Sequence, residues 1–353
     1  MNYLRDTRIV MDRVLRVPTP RPTPRSRRPR PRVARRVVVA LGAVAVIAAG
    51  GIAVASLFAG SPTPPHVGTR ILVPAASKAA SAASDPAADL EQTAAAEWLA
   101  QQPTTVWLTT ESDPVDAVEE RVARLLDEAR DQGAALSLAV YGLPDRDCGN
   151  QSAGGLAPDA YGEWTARIGR ALHAVAGVDK IVILEPDSIA LASSCGSIAE
   201  RTAHLRRAVD NLRGDDISIY VDAGHSAWHP VDEMAALLQA TELLPEVRGI
   251  ALNVSNYQDT TAEIAYAHAL SDRLGGTHAV IDTSRNGAGP AGAQWCNPSG
   301  RLVGSPSGSF GDEVVDTNLW IKPPGESDGW CNGGPAAGAW WPDAAVELTR
   351  DSR

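Results

Sequence analysis

Phenylalanine is almost missing from this chain: Phe58 and Phe310 stand against nine tryptophans. Cores usually draw on phenylalanine first, so the tryptophans invite a further use, and their broad apolar faces with one N–H donor suit it. Cysteine is sparse as well. Cys148, Cys195, Cys296 and Cys331 lie too far apart for a Cys-x-x-Cys hook, which argues against a zinc site. The chain has no Gly-x-Ser-x-Gly elbow and no His-Glu-x-x-His pair, and the glycines of 287–292 carry no lysine. Serine-nucleophile, zincin and phosphate-loop chemistry therefore lack their residues. His225 and His229 sit four apart, but Pro230 follows at once and no glutamate accompanies them. No metal and no cofactor is expected.

Positive charge is confined to one end. Residues 1–36 hold twelve Arg and two Asp, a net of +10, so a chain of net charge −10 leaves −20 for the remainder. An acidic body argues against a nucleic-acid partner. Residues 1–36, rich in Arg and Pro, read as a cytoplasmic head unable to bury a core. Residues 37–60 are apolar or small and uncharged, long enough to cross a bilayer, with the arginines on the cytoplasmic side. They are expected to be a transmembrane signal anchor, or a signal peptide cut near Ala53-Val54-Ala55. Residues 61–87 read as a Pro/Ala/Ser-rich tether and 88–353 as the catalytic domain, secreted or held on the outer face of the membrane. All four cysteines fall in this exported part, where disulfides persist. Four cysteines allow three pairings.

Within 88–353 apolar runs alternate with amphipathic stretches, the pattern of an α/β fold with a parallel sheet. Strands are expected near 105–109, 136–141, 181–184, 217–221, 249–253, 279–282 and 318–322. Helices are expected over 115–130, 160–175, 197–212, 230–240 and 262–274. In the first of these Val115, Val118, Val122, Leu125 and Leu126 recur at helical spacing. About seven strands suit a distorted parallel β/α barrel in one domain better than an open sheet. The Gly/Pro/Ser-rich stretch 283–316 reads as a long functional loop.

Four of the runs end on an aspartate: Asp147, Asp187, Asp222 and Asp328. Parallel strands in a barrel bring such ends to one mouth. Several carboxylates there point to acid/base chemistry on a neutral substrate. Glycoside cleavage needs one carboxyl that keeps its proton and a second group that activates water, and burial or a neighbouring carboxylate can raise one member of a pair. Asp147 and Asp187, on adjacent strand ends, are the natural pair. Trp107, Trp228, Trp295 and Trp320 lie beside strand ends or loops at the same mouth and could stack on pyranose rings. Trp98, Trp164, Trp340 and Trp341 read as packing, and Asp282 as a helix cap or salt bridge.

The segments YGLPDRDCG (141–149), EPDSIALASSC (185–195), YVDAGHSAWH (220–229), NVSNY (253–257), IDTSRNGAGPAGAQWCNPSGR (281–301) and WIKPPGESDG (320–329) resemble glycoside hydrolase family 6, the inverting cellulases. The resemblance implies a distorted barrel of about seven strands and hydrolysis of β-1,4-glucan with inversion. It makes Asp187 the general acid, Asp147 the carboxylate that raises the acid's pKa and helps position water, Asp328 the debated base and Asp222 a supporting carboxylate. It implies Tyr141 crowding a distorted sugar, and Arg146, Lys322 and Glu326 lining the cleft. Trp107, Trp228, Trp295 and Trp320 would be sugar platforms, and His225 and Asn253 polar contacts. It implies the disulfides Cys148–Cys195 and Cys296–Cys331.

The chain departs from the family pattern at Trp330, which separates the ESDG segment from Cys331, and in the short stretch from Trp98 to Trp107. With 25 residues after Asp328, an open cleft and an endoglucanase are expected, acting as a monomeric domain on soluble or amorphous glucan. The alternatives are a non-catalytic or weakly active β-glucan-binding protein on the same scaffold, and an exported enzyme for another polymer.

Overall fold

The computed structural model describes residues 63–353. The expected head and membrane segment, 1–36 and 37–60, lie outside the described residues. Among the described residues no helix is long and apolar enough to cross a membrane.

Seven strands, β1 (Val106–Thr109), β2 (Leu136–Tyr141), β3 (Lys180–Leu184), β4 (Ile217–Asp222), β5 (Gly249–Leu252), β6 (His278–Asp282) and β7 (Val315–Leu319), form one sheet in chain order. Every neighbouring pair is parallel. Helices α1 (Lys78–Ala82) and α2 (Leu90–Leu99) precede the sheet, α3 (Val118–Gln132), α4 (Pro158–Ala174), α5 (Ile198–Leu212), α6 (Val231–Thr241) and α7 (Thr260–Leu274) connect successive strands from β1 to β6, and α8 (Pro342–Thr349) follows β7. The first and last strands lean together at their ends: the Thr105 N–H donates to the Trp320 carbonyl at 2.9 Å. No ladder joins β1 to β7, so the barrel stays open along that seam.

Side chains alternate across each strand. Val182, Leu184, Ile219, Val221, Ile250 and Leu252 pack outward against the helices. Ala139, Ile181, Ile183, Tyr220, Ala251, Val280 and Leu319 fill a separate inner cluster. Both faces of the sheet are covered, which is why its strands read as continuous apolar runs. The same alternation aims Tyr141, Asp222 and Asp282 inward at the mouth, two residues beyond Ala139, Tyr220 and Val280.

The helices carry their own signals. In α3, Val118, Val122, Leu125, Leu126 and Ala129 are buried on one face, and Gly133 at φ 58° closes the helix with its N–H on the Ala129 and Arg130 carbonyls. Asp89 and Gln92 form a reciprocal capping box on α2. Asp259 caps α7, and Gly275 ends it at φ 80°.

Two expectations are corrected. The last strand is 315–319, three residues before the expected 318–322, because the buried polar Thr317 and Asn318 masked the strand while apolar Ile321 lies beyond it. The folded body begins before Ala88. Ile71 bridges Ala135, Leu72 is fully buried, and the Val73 backbone exchanges two hydrogen bonds with the Gln132 side chain. Much of 63–87 is thus packed structure, its few apolar anchors hidden among Ala, Ser and Pro.

Candidate active site

Loops leaving the C-terminal ends of the strands carry the candidate groups. After β3 the chain turns sharply, with Glu185 at φ 50° and Asp187 at φ 68°. Asp222, at the end of β4, holds this turn: its Oδ1 accepts the Asp187 N–H at 2.9 Å and the Gly224 N–H at 3.1 Å. Its Oδ2 is buried with no partner. Burial, then the charge of Asp187, pushes the Asp222 pKa well above the usual range.

The Asp187 side chain is largely covered, and its pKa is pushed up to about 7. Burial is the main cause. The charges of Asp147 and then Asp328 add to it, and Lys322 opposes them. Asp147, in the loop after β2, accepts the Ser152 N–H on Oδ2 at 2.7 Å, and burial raises its pKa as well. Tyr141 belongs to the same group, its hydroxyl pKa raised by burial and by the charges of Asp187 and Asp147. The four carboxylates read from strand ends therefore do share one mouth.

Asp328 is more tightly held than the sequence suggests. Arg285 Nη1 donates to its Oδ1 at 2.9 Å, while the Tyr257 hydroxyl and the Asn297 N–H donate to Oδ2 at 2.9 and 3.0 Å. Arg285 also lies 4.5 Å over the Tyr257 ring. Removing one partner of such a buried ion pair costs about 3–5 kcal/mol.

A cleft of about 910 Å³ runs along the β1/β7 seam, lined in part by Trp107, Tyr141, Arg146, Lys322 and Glu326. Asp147 and Asp187 lie beyond its lining, with Tyr141 as the link. The Trp107 indole donates to the Ile321 carbonyl at 2.7 Å and meets Tyr141 edge-on at 5.3 Å. Arg146 stacks 4.6 Å over Tyr141 and pairs with Glu111 at 2.8 Å. Lys322 is buried, which lowers its pKa, and sits 5.6 Å from the Trp107 ring. Lys78 of α1 reaches Glu326 at 3.1 Å, so this short helix closes part of the cleft.

Elsewhere the expected contacts divide. Trp228 is half-buried between His225, tilted at 5.6 Å, and His229, stacked at 5.8 Å. Burial, then His229, lowers the His225 pKa to about 4, so its ring is a neutral hydrogen-bonding group near neutrality. His229 is engaged by the Ala190 carbonyl and Glu233. Trp295 is 47% exposed.

Trp320 is not a platform. It is 2% exposed, packs with Trp98 and Leu99, and donates to the Ser305 carbonyl. Leu319 and Ile321 face the inner cluster, and alternation turns Trp320, between them, to the opposite side. Asn253 is fully buried, with its amide spent on Gln258 N–H and the Asp282 carbonyl, so it shapes a loop and contacts no ligand. Asp282 is neither helix cap nor salt bridge: its oxygens accept the backbone N–H groups of Ser284, Ile321, Ser255 and Lys322.

The cysteines pair as Cys148–Cys195 and Cys296–Cys331, with Cα atoms 6.0 and 6.2 Å apart. One bridge sits next to Asp147 and the other three residues from Asp328. Glu185 was not anticipated. Fully buried, it accepts the Gly142 and Leu143 N–H groups and holds the turn after β2, its pKa raised to about 7 by burial. Its position directly before Pro186 was the available signal. Arg285, Tyr257 and Asn297 were missed because the partner of Asp328 lies about 30 to 70 residues away in sequence.

The family model described as Glycosyl hydrolases family 6 matches residues 68–352. Endoglucanase A of Cellulomonas fimi is 41% identical over 258 residues, 73% of this chain and 56% of that protein. Endoglucanase A of Thermobispora bispora is 39% identical, over 72% of this chain and 56% of that protein. The chain thus spans little more than half the length of these two relatives. Among solved structures, the endoglucanase Cel6 from Mycobacterium tuberculosis, in complex with a thio-linked cellobioside, superposes with a TM-score of 0.74 at 38% identity, covering 81% of this chain and 98% of that one. The catalytic core domain of the cellobiohydrolase Cel6A from Chaetomium thermophilum gives 0.69 at 26% identity, covering 80% and 97%.

Proposed function

The chain belongs to glycosyl hydrolases family 6, and from that premise we propose that its barrel domain hydrolyses β-1,4-glucan internally and with inversion. The observation that carries this reading is Asp187, whose carboxyl is pushed to about 7 by burial and by Asp147. A carboxyl that keeps its proton near neutrality can give it to the leaving glycosidic oxygen. An ordinary aspartate, titrating near ~3.9, cannot.

Asp147 serves as the companion carboxylate. Its charge holds the proton on Asp187, and its carboxylate, anchored through Oδ2 by the Ser152 N–H, orients water. Asp222 is a positioning residue that fixes the backbone of Asp187. Asp328 is held in place by Arg285, Tyr257 and the Asn297 N–H, all three already bonded to its carboxyl oxygens. Tyr141 and Trp107 form an apolar wall for the sugar ring beside the acid.

Internal cleavage is supported by the names of the relatives at 39–41% identity, which are endoglucanases. Two disulfides support an oxidising, extracellular setting, with residues 37–60 as the export signal or anchor.

Turnover of carboxymethyl cellulose by Asp187→Asn is expected to fall about a hundredfold or more, within the ~10²–10⁴ range for loss of a general acid. A drop below about tenfold removes Asp187 from that role. A wild type no faster than Asp187→Ala would instead mark a glucan-binding protein. Proton NMR of fresh products should show the α-anomer first; the β-anomer first means retention.

A further inference from the structure

Trp330 stands out among the tryptophans. It is 73% exposed, yet the backbone around it is tied by hydrogen bonds on both sides. The Trp330 N–H donates to Gln151 Oε1 at 2.9 Å. The Gly329 carbonyl accepts from Asn297 Nδ2 at 2.9 Å and from the Cys331 N–H at 2.8 Å, and Cys331 is bridged to Cys296. Gly329 itself adopts φ 146°, and a Cβ there would come within 2.5 Å of the Gln151 side chain. The loops carrying Asp147 and Asp328 therefore touch at this point, and only glycine permits so close an approach.

A single apolar side chain left in water is ordinary in itself; what sets this indole apart is its place. This one lines the same cleft as Trp107, Tyr141, Lys322 and Glu326. A flat apolar face, ordered in advance, suits a neutral ring with axial C–H groups, because binding then immobilises little further.

We propose that Trp330 is a sugar-stacking platform, a further binding residue for a glucosyl unit at the rim of the cleft. This inference rests on the glucanase reading above and adds a contact that the residues around Asp187 do not supply. Trp330 does not touch the reacting bond, so its effect falls on affinity.

The test uses the full domain bearing Asp187→Asn, so that binding is read without turnover. Calorimetric titration with cellohexaose is made with Trp330 intact, with Trp330→Ala and with Trp330→Phe. The expected result is Kd weakened about fivefold by alanine, largely restored by phenylalanine, at an unchanged melting temperature. An unchanged Kd for Trp330→Ala overturns the platform while leaving the glucanase reading standing. A weaker Kd that tracks a lower melting temperature and is not rescued by phenylalanine overturns it in favour of a structural role. No cellohexaose binding with Trp330 intact overturns both readings.

Discussion

Asp187 occupies a backbone conformation that residues other than glycine avoid, as does Glu185 two positions earlier. Each such residue costs about 1–3 kcal/mol and persists only where its surroundings enforce it. Here Asp222 grips the Asp187 N–H, and Glu185 grips the loop after β2. The strain sets the acid beside Asp147, and that proximity governs its proton. Activity should be lost as pH rises through about 7, where Asp187 gives up its proton. In Asp147→Asn the alkaline limb of kcat/KM should move to lower pH, because a charge that holds the proton is gone; an unmoved limb would separate the two carboxylates. Stability has the same sign. A folded-state pKa raised above the unfolded value near ~3.9 means stability falls as pH rises between the two. The melting temperature of Asp187→Asn should therefore gain on wild type between pH 4 and pH 8. At Asp328 the balance is reversed: Asp328→Asn leaves Arg285 buried without its charge partner and should lower the melting temperature sharply, by about 3–5 kcal/mol of stability.

At the scale of elements, two disulfides fasten the loops that carry Asp147 and Asp328. They close loops of 47 and 35 residues, and the chain-entropy estimate gives about 4 kcal/mol for each. Reductant should lower the melting temperature and blunt activity together; an unchanged melting curve would mean that the bridges contribute nothing to stability. The strands were legible in the sequence because a parallel sheet buried on both faces writes uninterrupted apolar runs, as in Ile181 to Leu184. Strand β7 was displaced because Thr317 and Asn318 hide it. The carboxylates were legible because they close those runs. What escaped was partnership at a distance: Arg285 with Asp328, or Gln151 with Trp330. Trp320 and Asn253 were misjudged for another reason. A sequence tells that a residue is near a mouth but not which way its side chain turns there.

At the scale of the molecule, the sheet, its helices and residues 63–87 share one structure. Leu72 is buried in the main core, and Val73 pairs with Gln132 of α3. A chain beginning at Ala88 loses both and should melt well below one beginning at Thr63, since burying one leucine contributes about 1.5–3 kcal/mol. Equal melting temperatures would make residues 63–87 a mere tether. The whole arrangement serves one proton. Carbon-13 NMR titration of aspartate carboxyls, with Asp187 assigned by its Asn variant, reads that proton directly. An Asp187 midpoint near 7 that falls in Asp147→Asn is the predicted result; a midpoint near the ordinary ~3.9 in both proteins would contradict it.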